Sequence, residues 1–152
     1  MNVVFRVDAS VRIGTDHFIR CLTLAELLRK RGVQVRFISR ELAGNLFPLL
    51  RQKAMPVTVL PAPTMNDTTT SEDYADSLGV TQDKDAVQTI EALRGGRPDW
   101  LVVDHYGLAC EGEQRLRPYV NKLTVIDDLA NRYHDCDLLL NQNYPQKANK
   151  AM

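Results

Sequence analysis

The residues best suited to chemistry lie near the N-terminus, in the segment RVDASVRIGTDHFIR. A hydrophobic run ends at Asp8 and is followed by a short loop that contains Gly14. The loop leads to Thr15, Asp16 and His17, where a segment of helical periodicity begins. A helix N-terminus presents unpaired N–H groups and partial positive charge, which suit phosphate or a developing oxyanion. The same field disfavours imidazolium, so His17 is expected to stay neutral and able to accept a proton. The simpler alternative is a surface histidine in a first helical turn.

The elements around this segment alternate between short hydrophobic runs and stretches of helical periodicity. Predicted strands cover residues 2–7, 33–38, 56–60, 100–103, 123–126 and 138–140. Predicted helices cover residues 18–28, 44–53, 82–93 and 111–117. Repeated β-α units with short joints predict an α/β fold with a doubly wound, mostly parallel sheet, which binds ligands at the carboxyl ends of its strands. The polar, threonine-rich connection over residues 61–80 is longer than most and is expected to be functional or mobile.

The ends of the helices carry further local signals. Asn45 is predicted to cap the second helix, which leaves Pro48 in the first turn, where a missing N–H matters little. Thr81 is predicted to cap the third helix, and Gly95 and Gly96 to end it.

The composition excludes several classes of function. Nineteen basic and nineteen acidic residues cancel, and 25% charged with 44% apolar residues is ordinary for a globular protein. Neither nucleic acid nor a membrane is an expected partner. No hydrophobic run has the roughly 18 residues of a membrane helix. The three cysteines are widely spaced, which argues against a disulfide framework and favours the cytoplasm.

A second polar group, Asp104-His105-Tyr106, comes directly after the fourth predicted strand. In a doubly wound sheet this is the edge at which ligands bind. The alternative is that Asp104 caps the following turn and Tyr106 packs against the protein.

Paired carboxylates at Asp127 and Asp128 follow the fifth predicted strand and have the chemistry for acid/base work or cation binding. The more economical interpretation is that they cap a turn and pair with Arg132. Arg6 and Arg20 have two possible roles, as positive charge near a diphosphate or as partners of nearby carboxylates.

His134, Cys136 and Asp137 are close in sequence, but they lack the second ligand pair of a structural zinc site. No metal site is therefore expected. His134 is placed in a turn, where its replacement should cost little in kcat.

Five segments resemble, in order, the UDP-2,4-diacetamido-2,4,6-trideoxy-β-L-altropyranose hydrolases of pseudaminic acid and polysaccharide biosynthesis. They are the run from residue 6 to 28, ELAGNL (41–46), LGVTQDKDAVQTI (78–90), PDWLVVDHYGL (98–108) and VIDDLANRYHDCDLLLNQN (125–143). Related glycosyltransferases share the GT-B fold, so the resemblance implies a Rossmann-like N-terminal half of that fold.

The resemblance implies hydrolysis without metal or cofactor, in which water attacks the anomeric carbon, UDP leaves, and the histidine matching His17 is the general base. Gly14 and Thr15 would shape the loop, and Tyr106 would contact the sugar in a pocket that Asp104 and His105 also line. Asp16 departs from the glycine usual in the family. It adds a negative charge where a diphosphate approaches and is expected to raise the pKa of His17.

The resemblance further implies that residues 1–140 form one domain, that 141–152 begin a linker, and that a second, nucleotide-binding domain is missing from this chain. The isolated chain would then be inactive. Two alternatives remain open: half of a related GT-B glycosyltransferase, with an acceptor groove beside residues 61–80, and a non-catalytic binding module.

Overall fold

The computed structural model describes residues 1–64, 78–94, 96–105, 107–127 and 133–141. Its strands are β1 (Asn2–Val7), β2 (Gln34–Arg40), β3 (Val57–Leu60), β4 (Trp100–Asp104), β5 (Lys122–Ile126) and β6 (Leu138–Leu140). Its helices are α1 (Asp16–Lys30), α2 (Phe47–Gln52), α3 (Gln82–Leu93) and α4 (Cys110–Leu116). Strands and helices alternate as far as β5, as the sequence predicts.

The six strands form one sheet in the order β3-β2-β1-β4-β5-β6, and every neighbouring pair is parallel. The order runs outward from β1 in one direction and from β4 in the other, which is the doubly wound, Rossmann-like arrangement. The predicted α/β fold class is therefore confirmed.

Two hydrophobic clusters cover the two faces of the sheet. On one face, Phe18 of α1 stacks on Phe37, which in turn stacks on Phe5, with ring centroids 5.5 and 5.2 Å apart. On the other face, buried residues of β1, β4 and β5 pack against Leu93 of α3 and Leu116 of α4. Each fully buried side chain of this size contributes about 1.5 to 3 kcal/mol. This burial fixes the ends of the strands that carry the polar residues.

The strand β2 extends to Arg40, two residues beyond its predicted end. Ser39 and Arg40 are polar, so the hydrophobic pattern stops before them. Both are nevertheless buried, and both continue the parallel ladder to β3. The extension brings two polar side chains to the carboxyl end of the sheet.

The helix ends agree in part with the sequence signals. The helix α2 begins at Phe47 after an N-cap at Leu46, and Asn45 instead accepts a bond from the Phe47 N–H, so Asn45 is not the cap. The Thr81 hydroxyl accepts from an α3 N–H at 3.1 Å, which confirms the predicted cap. The helix ends at Leu93, and its C-cap Arg94 adopts a left-handed conformation directly before the glycine pair that the sequence predicts to stop it. Gly95 and most of the polar connection, residues 65–77, lie outside the described residues.

None of the helices in the described ranges is both long and apolar enough to cross a bilayer.

Candidate active site

The carboxyl ends of β1 and β4 meet where the strand order reverses, which is where a doubly wound sheet leaves a crevice for ligands. Val7 pairs with Asp104 in the parallel ladder, so Asp8 and His105 follow side by side at the same edge. Asp8, Asp104 and His105 are all buried. The sheet thus gathers polar side chains from two distant parts of the sequence at one place.

A tight loop connects this edge to α1. The Ser10 hydroxyl accepts bonds from the N–H groups of Arg12 and Ile13, at 3.2 and 3.1 Å. The Gly14 N–H donates to the Ser10 carbonyl at 2.8 Å, which closes the loop. Gly14 has φ +84°, a left-handed conformation that glycine adopts without steric cost. The loop reverses the direction of the chain, so that the start of α1 lies next to the end of β1.

His17 is the second residue of α1, and its ring lies against the end of β1 with only 5% of the residue exposed. The ring Nε2 hydrogen-bonds to the main-chain carbonyl of Asp8. Burial lowers the pKa of His17 below its ordinary value of 6.5, although the bond to Asp8 and the nearby Asp104 carboxylate act to raise it. At neutral pH the ring is therefore in the form that can accept a proton.

The neighbours of His17 in the loop are more exposed. Asp16 lies in the first turn of α1 with an exposed side chain, whereas Thr15 is half-buried at the N-cap and makes no side-chain capping bond. The sequence predicts that Asp16 raises the pKa of His17, but the carboxylate that acts in this direction is that of Asp104.

Asp104 is bound to α1. Its two carboxylate oxygens accept bonds from Nε and Nη2 of Arg20, at 2.6 and 2.7 Å. The Cys21 thiol also faces Asp104, at 3.4 Å, and burial together with this carboxylate raises the pKa of the thiol well above its ordinary value. Of the two roles left open for Arg20, the structure shows the ion pair. Cys21 is accordingly held as a neutral thiol.

His105 has both ring nitrogens engaged. The Gly107 N–H donates to Nδ1 at 2.9 Å, and Nε2 lies 2.8 Å from Oδ2 of Asp8. Its side chain has no exposed surface. The ring therefore lies beneath the surface of the crevice, and its assignment to the sugar pocket stays a prediction.

A buried ionic network, which we define as Arg6, Asp8, Arg40 and Asp85, underlies the crevice. Arg6 donates to Asp8 at 2.6 Å and also binds the Asp85 carboxylate. Arg40 donates to Asp85 at 2.8 Å through Nη2. The two guanidinium groups and two carboxylates cancel in charge, and all four side chains are wholly buried. Arg6 thus has the role of a carboxylate partner.

The described residues place Gly14, Thr15, Asp16, His17, Asp104 and His105 at one edge of the sheet, as the sequence predicts. Tyr106 lies outside the described residues, and so do Asp128 and Arg132. Sequence reasoning missed Arg40 and Asp85. A polar residue at the end of a hydrophobic strand was the available signal for Arg40, whereas Asp85 looks like an ordinary acidic residue in a first helical turn.

A second buried cluster, which we call the His134 bridge, shows that His134 is not an ordinary turn residue. Its Nδ1 and Nε2 lie 2.6 Å from carboxylate oxygens of Glu113 and Asp127, respectively. The three side chains are no more than 2% exposed. Burial acts to lower the pKa of His134, but the bonds to Glu113 and Asp127 outweigh it and raise the pKa. Asp127 thus pairs with a histidine, which the sequence did not suggest.

The His134 bridge predicts a pH-dependent stability. Because the folded-state pKa lies above the unfolded value near 6.5, the stabilisation is fully present below that value and is lost as pH rises through the folded pKa. The difference in unfolding free energy between the wild type and His134→Gln should therefore shrink as pH rises above 6.5. Denaturant unfolding at several pH values measures it. A difference in unfolding free energy that grows with pH would contradict the His134 bridge. The titration of His17 affects the stability of both proteins equally, so it cancels in the comparison.

The described residues include no group of three histidine, cysteine or acidic side chains placed to hold a metal ion. Cys110 and Cys136 are partly buried free thiols whose pKa values are raised by burial and by nearby carboxylates, Glu113 above all. A raised pKa keeps a thiol protonated and unreactive, so neither cysteine has the character of a nucleophile.

Comparison with known proteins agrees with the sequence and the fold. No family model matches the chain. The chain is 28% identical over 149 residues to the UDP-2,4-diacetamido-2,4,6-trideoxy-beta-L-altropyranose hydrolase of Campylobacter jejuni, a match that covers 97% of this chain and 44% of the relative. This chain therefore spans less than half the length of that curated relative.

Among solved structures, the chain is similar to MurG of Acinetobacter baumannii, with a TM-score of 0.59 and 15% identity over 85% of this chain and 35% of that one. At this identity the similarity concerns the fold alone, and it supports the Rossmann-like α/β assignment. A curated relative that matches nearly the whole chain thus confirms what the five segments indicate, a resemblance to UDP-2,4-diacetamido-2,4,6-trideoxy-β-L-altropyranose hydrolases.

Proposed function

We propose that this chain is the catalytic half of a nucleotide-sugar hydrolase that releases UDP from UDP-2,4-diacetamido-2,4,6-trideoxy-β-L-altropyranose in pseudaminic acid biosynthesis. The observation that carries the proposal is the His17 ring, which is held neutral at a helix N-terminus above the switch point of the sheet. The name of the Campylobacter relative supports the choice of substrate.

In the proposed reaction, His17 takes a proton from a water molecule as the water oxygen bonds to the anomeric carbon. The bond from that carbon to the phosphate oxygen breaks, and its electron pair leaves with UDP. The N–H groups at the start of α1 favour the negative charge that moves onto the phosphate. No metal or cofactor takes part in the proposed step.

The remaining assignments are part of the same proposal. Gly14 and Thr15 shape the loop beside the leaving group, Asp16 faces the diphosphate, and Tyr106 contacts the sugar. Asp104 and His105 complete the site from below, since their side chains are buried against protein partners. A second domain, corresponding to the part of the relative outside the match, supplies most of the contacts to the nucleotide.

The isolated chain is accordingly expected neither to bind UDP tightly nor to turn over the UDP-sugar. Titration calorimetry of the 152-residue chain with UDP measures this directly. A dissociation constant of about 1 μM or below, equivalent to roughly −8.2 kcal/mol, would contradict the proposal that a second domain makes most of the contacts to the nucleotide. It would indicate that this domain binds the nucleotide by itself.

The activity is tested in a fusion of this chain to the part of the Campylobacter relative that lies outside the match. Released UDP is measured with the UDP-sugar in the absence and presence of candidate acceptors. A hydrolase releases UDP with water alone. Release that requires an acceptor would instead favour the glycosyltransferase alternative, which shares the fold.

A further inference from the structure

We propose that Asp8 is a positioning residue, which fixes the proton of His17 on Nε2 and makes Nδ1 the nitrogen that receives the proton from water. The inference rests on the proposed function for the role of His17 as base. It goes beyond that function because it assigns the reacting atom and the buried groups that hold it.

His17 is hydrogen-bonded to the main chain of Asp8. A carbonyl oxygen only accepts hydrogen bonds, so the His17 nitrogen that faces it, Nε2, carries the hydrogen. In the neutral ring the other nitrogen, Nδ1, then has the lone pair. The same bond persists in the imidazolium and stabilises it as the proton arrives. The carbonyl of Asp8 therefore selects the tautomer.

The side chain of Asp8 is held in turn by several groups. Its carboxylate accepts two bonds from Arg6, at 2.6 and 3.1 Å, and one from the Arg40 N–H at 2.7 Å. His105 lies 2.8 Å away, and the Ser39 hydroxyl 3.4 Å. These groups come from β1, β2 and the end of β4, so three neighbouring strands hold one carboxylate. Residue 8, which carries the carbonyl that faces His17, is therefore held in place by its side chain.

The charge state of Asp8 supports the same role. Burial acts to raise the pKa of this carboxyl, but Arg6 and His105 outweigh it and hold the pKa well below its ordinary value. Asp8 therefore stays ionised throughout the range in which His17 titrates. The charge of Asp8 therefore stays constant while His17 takes up and releases its proton.

His105 completes this arrangement as a hydrogen-bond donor. Its Nδ1 accepts from the Gly107 N–H, so the nitrogen that donates to Asp8 is Nε2. A residue that only lined the sugar pocket would change KM when it was replaced. A residue that holds Asp8, and through it His17, would change kcat.

The tautomer is measured by NMR on the 152-residue chain with ¹⁵N-labelled histidine. The chain has only three histidines, and one-histidine replacements assign their ring signals. The long-range ¹⁵N correlation pattern of His17 should show a protonated Nε2 and an unprotonated Nδ1 at pH 8, above its lowered pKa. An Nδ1–H tautomer, or a rapidly exchanging mixture, would overturn the inference. His134, bound on both sides by carboxylates, is the internal comparison.

The positioning role is measured in the active fusion with His105→Ala and His105→Gln. Loss of the donor should lower kcat by about 10- to 100-fold, the size of effect that small misplacements of a reacting group produce, with KM little changed. Glutamine retains an N–H donor and should recover most of this loss. A rise in KM with an unchanged kcat in His105→Ala would overturn the positioning role and favour contact with the sugar.

The two measurements separate failure of the inference from failure of the proposed function. The NMR result on His17 needs no substrate and no second domain. If His17 has the expected tautomer but His17→Asn still hydrolyses substrate, the proposed function fails and the tautomer assignment stands. If His17→Asn is inactive but the tautomer is Nδ1–H, the base stands and the role of Asp8 is wrong.

Discussion

Replacement of His17 by asparagine is expected to lower kcat of the completed hydrolase by at least about 10²- to 10⁴-fold, the usual contribution of a positioned general base. Asparagine retains polarity and approximate shape but cannot take a proton from water. KM should change little, because the lost interaction develops only as the proton moves. Steady-state kinetics of UDP release measure both constants.

The pH profile gives the same base a second test. Burial holds the pKa of His17 below 6.5, so kcat/KM of the wild type should fall only as pH drops below that value. Thr23→Ala is the control on the same helix, since the Thr23 side chain is exposed and its hydroxyl donates to the Ile19 carbonyl within the helix. More than about a tenth of wild-type kcat in His17→Asn would show that the base assignment is wrong, and Asp104 would become the candidate.

Replacement of Asp85 by asparagine is expected to destabilise the fold by about 3 to 5 kcal/mol, the usual cost of breaking a buried ion pair by removing one partner. Asp85 binds both Arg6 and Arg40, and it also accepts from the Thr89 hydroxyl at 3.2 Å. The amide has nearly the same shape, so the loss comes from uncompensated positive charge and not from a cavity. Urea unfolding of the two proteins measures the difference.

Asp83→Asn is the matched control, because it makes the same substitution in the first turn of the same helix. The Asp83 side chain is 68% exposed and pairs with Arg115 at 3.0 Å. An exposed pair and the helix dipole together contribute about 1 kcal/mol or less. Equal losses in the two variants would mean that the buried ionic network does not stabilise the fold.

The fold was predictable because its signals are local. β-Branched runs and helical periodicity located the six strands and four α-helices of the described residues to within a few residues, and Thr81 marked the start of α3. The segment that carries His17 was recognisable for the same reason, since a strand end, a glycine and a helix start follow one another closely. The end of β2 was less accurate, because Ser39 and Arg40 are paired with Asp8 and Asp85, which lie far away in sequence. The start of α2 was less accurate because Asn45 bonds locally, to Leu42 and Phe47, and does not cap the helix.

The partners of the polar residues were not predictable from local pattern. Asp85 binds Arg6 across 79 positions of sequence, and nothing near Asp85 indicates that it is buried. His134 looks like a turn residue because its partner Glu113 lies on α4, 21 positions away. Only the packing of α3 and α4 against the sheet brings these charges together.

The pairing of β1 with β4 affects how the chain folds during its own translation. Asp8 and His105 are 97 positions apart, and Arg20 and Asp104 are 84 apart. During translation β1, α1 and β2 leave the ribosome long before β4, and contacts of this range form slowly because a large loop must close first. The N-terminal segment can therefore pair with β2 early, but the surroundings of His17 are complete only once residue 105 has emerged. Until then Asp8 lacks its contact with His105, and Arg20 lacks the carboxylate of Asp104.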